Sequence, residues 1–174
     1  RFAPSPTGPL HFGSLLTAVA SYCDAKANHG KWLVRIEDTD IARIYPHSEA
    51  HILSCIDAFQ FEPDAEIIFQ KDRLDIYEDV IQQLRQQDLV YACQCTRKML
   101  GSNHIYTGTC RDLRLDFSQQ AIRLKVADQL ICFDDRLQGK QCSNLQHDLG
   151  DFVLKRRDDI ISYQLAVVVD DYLQ

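Results

Sequence analysis

The first fourteen residues, Arg1-Phe2-Ala3-Pro4-Ser5-Pro6-Thr7-Gly8-Pro9-Leu10-His11-Phe12-Gly13-Ser14, restrict the possible folds more than any other stretch of the chain. Prolines at 4, 6 and 9 fix φ and remove three backbone donors, so this loop is stiff and continues neither a sheet nor a helix. Gly8 and Gly13 lack a Cβ and let the main chain approach a ligand closely. Ser14 then opens the stretch Leu15 to Ala27, in which Leu15, Leu16, Val19, Ala20 and Cys23 recur at helical spacing. The expectation is a short strand, a rigid loop and an uncovered helix start whose dipole faces back at His11. Amide N–H groups at such a start suit a phosphate, which makes this a candidate nucleotide site. On spacing alone, a purely structural His11 in an ordinary loop is the stronger reading.

The rest of the chain alternates. Lys31 to Asp38 reads as a strand that ends at an acidic pair, Glu37 and Asp38. Ser48 to Phe59 puts Ile52, Leu53, Ile56 and Phe59 on one helical face, and Arg73 to Asp88 does the same with Leu74, Tyr77, Val80, Ile81 and Leu84. Ile67 to Phe69 and Val90 to Ala92 fit short buried strands. Strands alternating with helices imply an α/β fold with a parallel sheet and right-handed crossovers, a Rossmann-like core. From Cys93 to His147 the character changes to clustered cysteines with strand-like segments at Ala121 to Val126 and Ile131 to Phe133, and Asp151 to Arg157 is expected to rejoin the sheet. At the end of the chain Val167 to Val169 favours a strand, whereas Ile161, Leu165, Val168, Val169, Tyr172 and Leu173 keep helical spacing; a helix is expected.

Ligands of open α/β sheets lie at the carboxyl ends of the strands, where Glu37 and the Pro-Thr-Gly loop would both stand. A ligand carrying an ammonium group and an acidic side chain would find a carboxylate at Glu37 and a guanidinium fork at Arg1. A solvated strand end with a surface ion pair is the competing reading. Seven cysteines without a secretory leader favour reduced thiols or a metal over a disulfide framework. Cys93-x-Cys95 followed by Cys110 suits Zn²⁺, and a tetrahedral site needs a fourth ligand, for which chemistry alone nominates His104. Cys23 and Cys55 fall on apolar helical faces and read as core, while Cys132 and Cys142 stay undecided. A net charge of −6 argues against indiscriminate nucleic-acid binding, and Lys155-Arg156-Arg157, before Asp158-Asp159, reads more readily as a solvated turn than as a contact patch. No stretch approaches the roughly 18 apolar residues of a membrane span, so a cytoplasmic protein is expected. The missing initiator Met and the abrupt end imply a longer natural chain.

The opening string resembles the N-terminal signature of class I glutamyl-type aminoacyl-tRNA synthetases, R-F-A-P-S-P-T-G-x-L-H-x-G, with the class motif standing here as His11-Phe12-Gly13-Ser14. Phe12 and Ser14 are closer to one branch, the glutamyl-queuosine tRNA(Asp) synthetases, which look like a synthetase catalytic domain without an anticodon-binding part. The resemblance continues through Arg35-Ile36-Glu37-Asp38-Thr39-Asp40, Cys93-Gln94-Cys95-Thr96-Arg97 and Tyr163 to Asp171. It implies that residues 1–92 form the first half of the Rossmann-like domain, 93–147 an inserted zinc-bearing region, and 148–174 the start of the second half. Glutamate would be held by Arg1, Phe2, Ala3, Pro4 and Ser5, its α-amino group by Glu37, with Tyr163 closing the pocket. ATP, with Mg²⁺, would meet Thr7, Gly8, His11 and Gly13, and His11, Gly13 and Ser14 would stabilise the charge that develops. One structural zinc would take Cys93, Cys95, Cys110 and, in the family's register, Tyr106 rather than His104.

The implied reaction is attack of the glutamate α-carboxylate on the α-phosphorus of ATP, followed by transfer of the glutamyl group to queuosine in tRNA(Asp); the oligomeric state is not legible in the residues, and a monomer is a guess. No counterpart of the class's KMSKS-type lysine loop or of its second substrate arginine stands in these residues. The catalytic domain of a glutamyl-tRNA synthetase, and a non-catalytic paralogue that binds nucleotide or RNA, are the alternatives.

Overall fold

The computed structural model describes residues 1–100 and 105–174, which form two compact units, Arg1–Asp75 and Ile76–Gln174. In the first unit the N-terminal segment runs beside Leu33 to Glu37. Phe2 bridges Val34 in parallel, its N–H donates to Leu33 O at 2.9 Å, and Pro4 O accepts from Glu37 N at 3.0 Å. The segment then leads into helix α1 (Phe12–Ala27), strand β1 (Arg35–Ile36), helix α2 (Ser48–Ala58) and strand β2 (Ile68–Phe69). β1 and β2 pair in parallel, Arg35 with Ile68 and Ile36 with Phe69. The strand expected over 31–38 is regular over only two residues. On its other side stand Pro4 and Pro6, which have no N–H to continue a ladder.

Trp32, fully buried, organises this unit's core. Tyr22 meets it edge-on with centroids 5.2 Å apart, Phe2 stacks on it at 6.1 Å, and its indole N–H donates to Ser21 Oγ at 2.9 Å. That aromatic cluster decides how α1 is rotated. The helix turns Ala18, Tyr22 and Ala25 inward, whereas Leu16 and Cys23, expected on the buried face, are exposed. Burying Tyr22 against Trp32 gains more area than burying Leu16, so the apolar stripe read from the sequence was the wrong one. Cys55, likewise expected in the core, is half-buried beside His51. α2 buries Ile52 and Ile56 as expected and leaves Phe59 half-exposed.

The second unit takes in most of helix α3 (Leu74–Gln86), which buries Tyr77 and Ile81. Strand β3 (Val90–Cys93) follows, then the short helix α4 (Arg97–Leu100) and strand β4 (Ala121–Leu124). Strands β5 (Leu130–Asp135) and β6 (Gly139–Asn144) form a hairpin, helix α5 (Leu145–Asp148) follows, and strand β7 (Val153–Lys155) leads to helix α6 (Tyr163–Leu173). The sheet order is β3-β4-β7 and both pairings are antiparallel. β3 therefore does not extend a parallel sheet as the alternating pattern suggested. The chain between it and β4 returns without a long crossover helix among the described residues, and antiparallel pairing needs none.

Helix wins over strand in the last segment because Ser162 caps it, accepting from Leu165 N, and Leu165, Ala166 and Val169 share one buried face. Asp170 on the same helix is fully buried and accepts from Tyr77 Oη at 2.7 Å. The turn expected at the basic run holds only in part: Lys155 ends β7, half-buried and paired with Glu78 and Asp159, and the turn begins after Arg156, which pairs with Asp158. Cys132 and Cys142 face each other in the hairpin register and are joined by a disulfide, so the general expectation of reduced thiols fails at this pair. Parallel pairing in one unit and antiparallel pairing in the other make the chain mixed α/β.

Candidate active site and metal centre

The N-terminal segment alternates. Phe2, Pro4 and Pro6 are buried, while Arg1, Ser5 and Thr7 are exposed and Ala3 is half-buried between them. This period of two is that of an extended chain with one face in the core. Of the seven residues expected to hold glutamate, Arg1, Ala3 and Ser5 thus share the outer face, and Phe2 and Pro4 turn their side chains inward. Ser5 is brought to Glu37, with Oγ 3.4 Å from Oε2, and Arg35 Nη2 donates to Glu37 Oε1 at 3.2 Å. The side chains of Arg35 and Glu37 are both buried, 2% and 5% exposed. Moving Glu37 away would leave the buried Arg35 guanidinium uncompensated, which is costly, so Arg35 and Ser5 together orient the carboxylate.

Arg35 was missed in the sequence, although its spacing of two from Glu37 on a strand places both on one face. Asp38, also buried, is occupied structurally. Its Oδ1 accepts from Lys71 N at 2.8 Å, and Oδ2 lies 3.2 Å from Lys71 Nζ as an ion contact without hydrogen-bond geometry.

The loop is anchored at Pro6, whose carbonyl accepts from Tyr45 N at 3.0 Å and from the buried Ser48 Oγ at 2.6 Å. At its far end α1 starts at Phe12, two residues earlier than expected, because His11 is the N-cap: its Nδ1 accepts from Ser14 N at 3.3 Å. The helix start is therefore partly covered by the imidazole itself. Gly13 makes this possible, since a Cβ there would sit 3.1 Å from His11 Cε1. Gly8 faces open space, and a Cβ there would meet nothing within 4 Å. His11 is exposed, so the ring that caps α1 is also accessible from solvent. Tyr163 stands in the second unit as the first residue of α6 and is 59% exposed.

The metal centre forms where β3 ends. Cys93, Cys95 and Cys110 place their sulfurs within 4.8 Å of one another, with Cys95 and Cys110 3.5 Å apart. Tyr106 Oη lies 3.4 Å from Cys93 Sγ and 3.6 Å from Cys95 Sγ, and it accepts from Cys110 N at 3.0 Å. A tetrahedron with Zn–S of about 2.3 Å and Zn–O of about 2.0 Å has edges of about 3.5–3.8 Å, so three sulfurs and this oxygen fit a zinc ion. Burial works against ionising Cys110, but hydrogen bonds from Tyr106 and from the Gln94 backbone outweigh it and hold the thiol below its ordinary range. Burial pushes the Tyr106 phenol well up. Bound there, zinc would supply a structural cross-link between β3 and the segment around Cys110. The rival ligand, His104, lies outside the described residues.

Around this centre is a polar frame that the sequence reading missed. Asp151, 2% exposed, accepts from Tyr91 Oη at 2.6 Å, from Val126 N at 2.9 Å and from two nitrogens of Arg111, Nε at 2.9 Å and Nη2. Gly150 has φ +72° and lies directly against the Tyr106 backbone, which it pairs in parallel. Scattered single residues give no periodic signal; the Leu-Gly-Asp string at 149–151 was the only local hint, a glycine in a left-handed turn.

A match to the family described as tRNA synthetases class I (E and Q), catalytic domain, runs over residues 1–174. The chain belongs to that family. Among its relatives, the Glutamyl-Q tRNA(Asp) synthetase of Acinetobacter baylyi is 80% identical over 174 residues, covering 100% of this chain and 60% of the relative. That of Pseudomonas fluorescens is 49% identical, covering 100% and 59%. A crystal structure of a glutamate tRNA ligase from Elizabethkingia meningosepticum in complex with its amino acid superposes with a TM-score of 0.84 at 31% identity, over 99% of this chain and 41% of that one. The chain thus spans about three-fifths of the length of these curated relatives. As a class I synthetase catalytic domain it is mixed α/β with a three-cysteine cluster fit for a metal, and no helix among the described residues is long and apolar enough to cross a membrane.

Proposed function

We propose that this chain carries the glutamate-activating part of a glutamyl-queuosine tRNA(Asp) synthetase, an enzyme that uses ATP to make glutamyl-adenylate and passes the glutamyl group to queuosine in tRNA(Asp). The 80% identity to a relative of that name over every residue of the chain carries this reading. The geometry of the first unit supports it. Glu37, oriented by Arg35 and Ser5, receives the ammonium group of glutamate, and Arg1, on the outward face with Ala3 and Ser5, pairs with its side-chain carboxylate. With the α-carboxylate so placed, the reaction needs position and charge stabilisation more than a nucleophilic side chain. Thr7 and Gly8 line the ATP path and His11, its ring held by the Ser14 N–H, meets together with the Gly13 N–H the charge that develops on the phosphoryl oxygens.

In the same reading, residues 1–92 are the first half of a Rossmann-like catalytic domain. Residues 93–147 are the inserted region holding a structural zinc on Cys93, Cys95, Tyr106 and Cys110, and 148–174 open the second half. The protein works in the cytoplasm as a monomer, with Mg²⁺ accompanying ATP.

The similarity to a glutamate tRNA ligase in complex with its amino acid favours a second reading, the catalytic domain of a charging enzyme. ATP–pyrophosphate exchange by the full-length protein with glutamate and no tRNA separates the two. The modifying enzyme exchanges alone, whereas glutamyl charging enzymes generally need their tRNA. Exchange that requires tRNA(Glu), or charging of tRNA(Glu) with no glutamate appearing on queuosine-containing tRNA(Asp), overturns the first reading.

A further inference from the structure

We propose that Arg123 is the positioning residue of the metal centre, its guanidinium fixing the plane of the Tyr106 ring and so the place where the phenol oxygen meets the three sulfurs. This rests on the reading of Tyr106 as the fourth ligand.

Arg123 sits on β4 opposite Tyr91 of β3, and Cys93 lies two residues further along β3 on the same face. The register that carries Cys93 to the metal therefore also carries Arg123. Its Cζ lies 3.8 Å over the centroid of the Tyr106 ring, close enough for the planar group to stack. Nη1 donates to Asp151 O at 2.6 Å, and Asp151 N donates in turn to Tyr106 O at 3.3 Å. The carboxylate bonds of Asp151 pin that peptide, so the guanidinium cannot slide off the ring without breaking the frame. Tyr106 is thus gripped at its backbone by Gly150 and Asp151 and at its ring by Arg123.

Charge gives a second, independent argument. Arg123 is 7% exposed and no carboxylate pairs with it among the described residues, since Asp151 gives its oxygens to Arg111, Tyr91 and Val126; Nε has no hydrogen-bond partner there. A buried guanidinium with no counter-charge is rare, because desolvation disfavours it strongly. Three thiolates and a phenolate around a divalent ion leave an anionic shell, and that shell is the charge the arginine faces. A leucine would fill the same volume but would neither set the ring plane nor answer the charge.

The test is a double-mutant cycle on zinc affinity in the full-length protein, read by chelator competition, with the visible absorption of the Co²⁺-substituted protein as a second readout. Arg123→Met should weaken zinc binding about 10–100-fold, the range for residues that orient a ligand, and alter the Co²⁺ bands. Arg123→Lys, which keeps the cation, should recover a good part of that loss. Combined with Tyr106→Phe, Arg123→Met should add less than about threefold, because the two act through one contact. Equal losses with and without Tyr106→Phe, or unchanged affinity and Co²⁺ spectrum in Arg123→Met, overturn the proposal. If Tyr106→Phe alone changes neither readout, the fourth-ligand reading has failed and takes the proposal with it. Should Arg123→Met not fold, Arg123→Lys and Arg123→Gln complete the same cycle, and equal affinity in these two and the wild type overturns it.

Discussion

Gly150 and Gly139 offer a paired experiment, because their backbones are nearly identical, φ +72° and +71°, and their surroundings are opposite. A Cβ on Gly139 meets nothing within 4 Å, whereas one on Gly150 would lie 2.3 Å from Tyr106 O and 2.7 Å from Tyr106 N. Gly139→Ala therefore carries only the left-handed strain of an L-residue, about 1 kcal/mol. Gly150→Ala carries the same strain plus an overlap with backbone. Ordinary contact begins at 3.4 Å, so the backbone at Tyr106 must move by roughly 1 Å, at about 1–3 kcal/mol for overpacking. Losing the Asp151 N to Tyr106 O bond adds about 1 kcal/mol. The expected destabilisation is about 3–5 kcal/mol for Gly150→Ala against about 1 kcal/mol for Gly139→Ala. Urea denaturation followed by far-ultraviolet circular dichroism measures both, and zinc content should fall only in Gly150→Ala. Equal destabilisation of the two variants, within about 0.5 kcal/mol, would refute the claim that this turn is packed against the metal-bearing segment.

Other outcomes can be checked directly. His11→Ala should lower glutamate-dependent pyrophosphate exchange by about two to three orders of magnitude while removing only a helix cap, about 1 kcal/mol; unchanged exchange excludes His11 from the chemistry. Protein purified without chelator should hold one zinc per chain, and a ratio near zero removes the metal centre. At Asp151, burial opposes ionisation, but Arg111, Tyr91 and the Val126 N–H outweigh it, so the carboxyl lies below its ordinary value of 3.8. Its stabilisation is then complete above that value and fades as pH falls through the lower folded one. In protein kept free of zinc, the stability difference between wild type and Asp151→Asn should be flat from neutral pH to about 5 and shrink below about 4; a constant difference down to about pH 2.5 contradicts it. Reducing Cys132–Cys142 should speed amide exchange in the exposed β5–β6 hairpin and leave the slowest-exchanging amides of β3 and β4 unchanged.

What could be read from residues alone followed local physics. The stiff N-terminal loop, the helices over α2, α3 and α6, and the strands near 68, 90, 121 and 131 all announce themselves by period or by proline and glycine. The Cys93-x-Cys95 pair with Cys110 likewise found its neighbours. The errors share a cause, which is competition between two plausible partners. α1 has two apolar stripes, and only the aromatic cluster around Trp32 selects the one with Tyr22. β3 is apolar enough for either kind of sheet, and its antiparallel partner lies about thirty residues away. Asp151 and Arg123 are buried charges whose meaning comes from what stands opposite them, and sequence spacing says nothing of that, whereas Arg35 was legible from its spacing of two from Glu37.

The cap on α1 sets helix strength against reactivity. Because His11 Nδ1 receives the Ser14 amide hydrogen, a neutral imidazole must carry its own hydrogen on Nε2, with Ser14 Oγ as a distant acceptor at 3.4 Å. The tautomer is thus chosen by the backbone, and the ring's one donor is left for an anionic visitor. Asparagine or serine would begin the helix more firmly, yet neither keeps that arrangement. A lineage selected only for a sturdier protein would drift away from histidine here, and a thermostability screen run without an activity filter should recover such changes at position 11 early.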